Sequence, residues 1–152
     1  MNDSTIAEVY ELQQIEKIKN LKARYCRFVD TKQWDLLSNL LSDDANLVFE
    51  DAEGKQLYEF KSSKEMIDLS ARMLAMAVTV HHVHNFELVT ISDEEASVIW
   101  GLEDQILFPD NVEAPFKSMH GFGHYHETLR KSGEQWKIKS FRLTRLKLDY
   151  QN

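Results

Sequence analysis

Residues 78–108 read VTVHHVHNFELVTISDEEASVIWGLEDQILF, and the period of this stretch decides the fold. Along Ala96, Val98, Trp100, Leu102, Asp104, Ile106 and Phe108 one face alternates cleanly with its neighbours, the two-residue repeat of a strand. Val78 to Ile91 reads as the preceding strand, and Ser92-Asp93-Glu94-Glu95 as the polar turn between them. Downstream, Pro109 to Pro115 is expected to be loop. Gly121 to Lys131, a turn at Ser132-Gly133 and Gln135 to Leu148 then complete an antiparallel meander.

Upstream of Val78 the period is helical. Ile15, Ile18, Leu21, Tyr25 and Phe28 recur at three- and four-residue steps, predicting one apolar stripe on a long helix. Asp30-Thr31 offers a capping side chain for a short helix carrying Trp34, Leu37, Leu40 and Leu41, which Ser42-Asp43-Asp44 is expected to end. Two strand-like runs follow, Ala45 to Glu50 and Gln56 to Phe60, joined around Gly54. Ser62 to Glu65 has the form of a capping box and predicts a third helix with Met66, Leu69, Met73 and Leu74 on its apolar face.

Helices first and a long antiparallel sheet afterwards mean an α+β fold. The expectation is a cone-shaped, curved antiparallel sheet with the N-terminal helices over its concave face, which then forms a pocket. The 152 residues suit one domain over 1–152, long enough to bury roughly two-thirds of the unfolded chain's surface. A net charge of −7 with no basic block repels phosphate backbones, so no nucleic acid is expected as partner. Cys26 stands alone, which rules out an internal disulfide. The start MNDSTIAEVYELQQIEK lacks a basic head followed by an apolar run, and no apolar stretch approaches about 18 residues. No membrane partner is expected, and the chain reads as cytoplasmic.

All six histidines fall in two segments, His81, His82 and His84 in one, His120, His124 and His126 in the other. Histidine is the side chain most used for proton transfer near neutral pH. His82-x-His84 and His124-x-His126 each put two imidazoles on one strand face, as some metal sites do. No glycine-flanked cupin pattern surrounds them, so no metal is expected, and those four read as structural or interface residues. Tyr25 lies on the core stripe, Asp30 has a cap's position, and Arg145 has that of a solvated strand residue.

Four segments carry a resemblance to a known family. RYCRFVDTKQWDLLSNLLSDDA (24–45), TVHHVHNFELVTISDEEA (79–96), IWGLEDQILFPD (99–110) and GHYHETLRKSGEQWKIKSFRLTRL (123–146) resemble SnoaL-like proteins of the nuclear transport factor 2-like superfamily. Within that group the likeness is greatest to bacterial bile acid 7α-dehydratases, with scytalone dehydratases more distant. The resemblance implies a catalytic set of Tyr25, Asp30, His81 and Arg145. His81 and His84 fall on an H-x-x-H pair, and Arg145 lies nine residues beyond Trp136. Trp100, Tyr125, His84 and Phe108 are the expected substrate contacts.

The activity implied is a cofactor-independent dehydratase acting on a small hydrophobic, ring-containing hydroxy-carbonyl substrate. His81 would move the proton, Asp30 would hold its other nitrogen, Tyr25 would donate a hydrogen bond, and Arg145 would favour negative charge nearby. The same scaffold also hosts ketosteroid-type isomerases, small-molecule carriers and dioxygenase β-type subunits, which stand as alternatives. A homotrimer or homodimer is expected. One condition comes with this reading. In strict alternation Arg145 shares a face with Lys137 and Lys139, and His81 with Asn85 and Glu87, so each strand needs a bulge that resets its phase.

Overall fold

The computed structural model describes residues 2–152. Helix α1 runs Asp3–Asp30, starting twelve residues before Ile15, where the Asn2 side chain accepts the Thr5 N–H at 2.8 Å. Its first turns project into solvent; burial begins in earnest at Gln14, whose side-chain oxygen accepts the Trp136 indole N–H. From there Ile18, Leu21, Lys22, Tyr25, Cys26, Phe28 and Val29 face the core.

Helix α2 is shorter than its apolar pattern suggests, Trp34–Ser38. Leu40 falls in the turn and Leu41 opens strand β1, Leu41–Glu50, so the acidic run Ser42-Asp43-Asp44 is strand and not terminator. Thr31 does not cap α2 either, because its hydroxyl donates to the Arg27 carbonyl. Strand β2 is Gln56–Phe60, and α3 is Ser63–Met73. The α3 cap forms as read: Ser62 accepts the Glu65 N–H while the Glu65 carboxylate accepts the Lys61 N–H. Ile67, not Met73, joins Met66 on the buried face.

Four long strands follow, β3 Val78–Ile91, β4 Glu95–Leu107, β5 Ser118–Ser132 and β6 Gln135–Gln151. The sheet is open and curved, ordered β2-β1-β6-β5-β4-β3. It is mixed and not wholly antiparallel: β1 lies parallel to β6, with Leu47 opposite Phe141. A parallel pair requires a long crossover, and the chain supplies one through α3 and the β3–β5 meander. The helices cover the concave face.

Both strands that carry the expected site are bulged. In β6, Ser140 pairs with Thr128 but Ile138 with Leu129, leaving Lys139 as the extra residue. The inward set therefore changes from Trp136 and Ile138 to Phe141, Leu143 and Arg145. A second extra residue, Leu146, turns the strand again. In β3 the register shifts between His84 and Glu87, where Asn85 takes a positive φ of 50°. Thr79, His81 and Val83 point inward before it, Phe86 and Leu88 after it. An extra residue costs a ladder bond and gains the re-aiming of every side chain beyond it.

Candidate active site

Asp30 ends α1 facing the first turns of β3. Its carboxylate accepts three hydrogen bonds there: from the His81 backbone N–H at 2.9 Å, from the Thr79 hydroxyl at 3.0 Å, and from His81 Nδ1 at 2.6 Å. The Asp30–Nδ1 contact fixes the ring's orientation and its tautomer, with the proton on Nδ1 and the Nε2 lone pair free. The imidazole is 11% exposed, sheltered from bulk water but not sealed.

On its Nε2 side, 4.0 Å away, lies an Asp104 carboxylate oxygen. Asp104 stands opposite His81 in the β3–β4 ladder and is bound by Arg145 through two parallel bonds of 2.5 and 2.8 Å. Such a fork-on-carboxylate pair is the strong form of ion pair. Burial works to lower the Arg145 pKa, but the Asp104 hydrogen bonds and charge prevail and hold it above the ordinary arginine value. The clamp crosses β5 at Gly121, where a β-carbon would overlap both the guanidinium and the Asp104 carboxylate. The result is a line of alternating charge and dipole, Asp30–His81–Asp104–Arg145, spanning a helix and strands β3, β4 and β6.

Beside this line the core contains a second buried polar group. The Lys22 ammonium pairs with Glu127, and both side chains are almost wholly enclosed. Glu127 also accepts the Trp100 indole N–H at 3.1 Å. Lys22 lies 3.5 Å from the Tyr125 ring centroid and 4.4 Å from that of Tyr25, while the two phenols meet edge to face at 6.2 Å. Burial drives the Tyr25 phenol far above the tyrosine range, the Glu127 carboxylate adding to it, so Tyr25 is a proton-bearing donor. Tyr125 is raised likewise, by burial first.

A groove of about 620 Å³ between α1 and β3 opens onto Asp30 and His81, walled by Ala23, Cys26, Arg27, Val80, His82, Val83 and His84. Thus Asp30, His81 and His84 share a solvent-reachable hollow, whereas Tyr25 and Arg145 lie behind it and are not part of its wall. Asp30 contacts His81 directly, and Arg145 reaches it only by way of Asp104; Tyr25 belongs to the Lys22 cluster. Trp100 and Tyr125 are core residues, and Phe108 packs on Phe116 at the far loop, 5.6 Å between centroids. The His84 ring covers Gly101 across the strand pair.

Asp104, Thr79, Lys22 and Glu127 were not singled out from sequence. The signal for Asp104 was available: it is the one acid in the alternating run that opens with Ala96 and Val98. Glu127 breaks its own inward run, between Tyr125 and Leu129, in the same way. Lys22 gave no signal, since a lysine on a helix usually faces water.

A family model for SnoaL-like domains matches residues 10–142. A curated relative, the probable cyclase FGR4 of Gibberella zeae, is 28% identical over 137 residues, covering 85% of this chain and 89% of the relative. Among solved structures, a hexachlorocyclohexane dehydrochlorinase, LinA type 2, superposes with a TM-score of 0.78 at 17% identity, covering 95% of this chain and 93% of that one. A scytalone dehydratase-like protein of Novosphingobium aromaticivorans superposes with a TM-score of 0.72 at 20% identity, covering 91% and 88%. At such identities the superpositions speak for the fold.

Proposed function

The chain belongs to the SnoaL-like domain family, and on that premise we propose that it is a lyase eliminating water from a hydrophobic cyclic hydroxy-carbonyl compound. The observation that carries the reading is the His81–Asp30 contact of 2.6 Å in the wall of an open groove. A neutral imidazole with one nitrogen held by a carboxylate and the other free is a positioned base. Relatives named for cyclisation, dehydration or dehydrochlorination belong to reaction classes in which such a base can serve.

His81 Nε2 takes the proton from the carbon next to the carbonyl. The electron pair released forms the carbon–carbon double bond as the β carbon–oxygen bond breaks. The imidazolium, stabilised by Asp30, returns that proton to the departing hydroxyl, and water leaves. Positioned acid–base groups of this kind contribute a factor on the order of 10²–10⁴. Asp104 lies on the Nε2 side of His81, and Arg145, bound to both its oxygens, holds that carboxylate in place. Tyr25 keeps its proton but stands behind the groove wall, so the steps at His81 draw on no hydrogen bond from it. No cofactor is invoked, and the proposed assembly is a homotrimer or homodimer.

The mass of the product tests the reading against double-bond isomerisation on the same scaffold. Elimination yields a product lighter by one water, whereas a product of unchanged mass makes the protein an isomerase.

A further inference from the structure

The groove that reaches His81 carries an unspent positive charge. Its wall holds one guanidinium, Arg27, and one carboxylate, Asp30, and the latter is already engaged by His81 and Thr79. Arg27 makes no ion pair among the described residues; its guanidinium rests 4.7 Å from the Phe28 ring centroid. A second hollow, of about 600 Å³, adjoins the first through Ala23 and Arg27 and is lined further by Lys17, Asn20 and Arg24. Among the described residues Lys17 has no carboxylate partner, and Arg24 bonds to the Asn20 carbonyl alone, at 3.4 Å. Glu16, next to Lys17 in the chain, is taken by Lys19, and Glu134, which lines a hollow with Lys17 and Arg24, makes no ion pair with either among the described residues.

Three cations at positions 17, 24 and 27 thus form an unneutralised strip on a chain whose net charge is −7. Elsewhere its basic side chains are largely spent: Arg130 and Lys139 on Glu95, Arg142 on Glu50, Lys64 on Asp68. The strip leads to the hollow that contains the proposed base. Beside Arg27 the wall is apolar at Ala23, Val80 and Val83, with the rings of His82 and His84 at its edge strand. An apolar surface ending at a planar five-donor fork matches a ring compound that bears a carboxylate.

We propose that the ligand brought to His81 is such an apolar ring carboxylate, its charge held by Arg27 and drawn along α1 by Arg24 and Lys17. The inference deepens the lyase reading by naming the charge of its substrate, and its test is a binding measurement that needs no turnover. Local positive potential of this kind raises the encounter rate of an anion, an effect that salt weakens.

The probes are 2-naphthoate and its neutral counterpart 2-naphthamide, titrated against the full chain by fluorescence at low salt. Naphthoate is expected to bind at least about tenfold tighter, a charge-assisted hydrogen bond being worth that much. Arg27→Gln removes this preference and leaves naphthamide unchanged. Arg72→Gln, on α3, alters neither. His81→Ala retains naphthoate binding, so loss of turnover in that variant bears on the lyase reading alone. Equal affinity for the two probes, or undiminished naphthoate binding by Arg27→Gln, overturns the inference.

Discussion

In the wall of the His81 groove Cys26 is held as a neutral thiol, pushed up to about 11 by burial, with Lys22 working against the shift and Glu127 with it. Nucleophilic reactivity belongs to the thiolate. The folded state binds this proton more tightly than the unfolded chain, whose thiol titrates at about 8.5. The stability that goes with it is therefore complete below that range and is lost as pH rises through about 11. At pH 8 the native protein should resist iodoacetamide while the urea-unfolded chain is alkylated within minutes, as read by mass. Equally fast alkylation of both would mean the thiol is neither buried nor suppressed. His81 stood out as one of six clustered histidines, whereas Asp30 read only as a cap until the family resemblance paired the two. Asp104 did not, although it interrupts an apolar alternation, because a strand pattern names the inward face without naming what an inward acid meets. That meeting depends on Arg145 and on the space left by Gly121.

Between elements, the phase of β3 and β6 decided whether a site could exist. Strict alternation turned His81 and Arg145 to the wrong face, and the extra residues at Asn85 and Lys139 turn them back. The need for bulges was legible from the mismatch itself; their positions were not, because they depend on cross-strand pairing. The Lys22–Glu127 pair joins α1 to β5 and was invisible beforehand, since the partners stand 105 residues apart. Two charges buried together cost desolvation that their attraction roughly offsets, whereas one left alone is heavily penalised. Lys22→Met should therefore lower the unfolding free energy by about 3–5 kcal/mol in urea melts. Adding Glu127→Gln should recover most of that loss, because the amide oxygen still accepts the Trp100 N–H. A double variant as unstable as the sum of the two single variants would show that the charges are not coupled.

Across the whole molecule, element order and the α+β class followed from periodicity, while the mixed sheet did not. Residues 45–50 read as a strand whatever their partner, and nothing in that pattern chooses between a parallel and an antiparallel neighbour. The parallel β1–β6 pair places α1 and α3 on one side of a six-stranded surface, and the end of α1 is tied to β3 by the hydrogen bonds that Asp30 accepts from Thr79 and His81. None of the described helices is long and apolar enough to cross a membrane. The fold delivers a carboxylate from the end of a helix and an imidazole from an edge strand to one groove. The substrate, once identified by its loss of water, allows the decisive comparison: initial rates of wild-type protein and His81→Ala, with the melting temperature of each as control. The account predicts a rate at least about a hundredfold lower at an unchanged melting temperature. Wild-type turnover by a folded His81→Ala protein would contradict it.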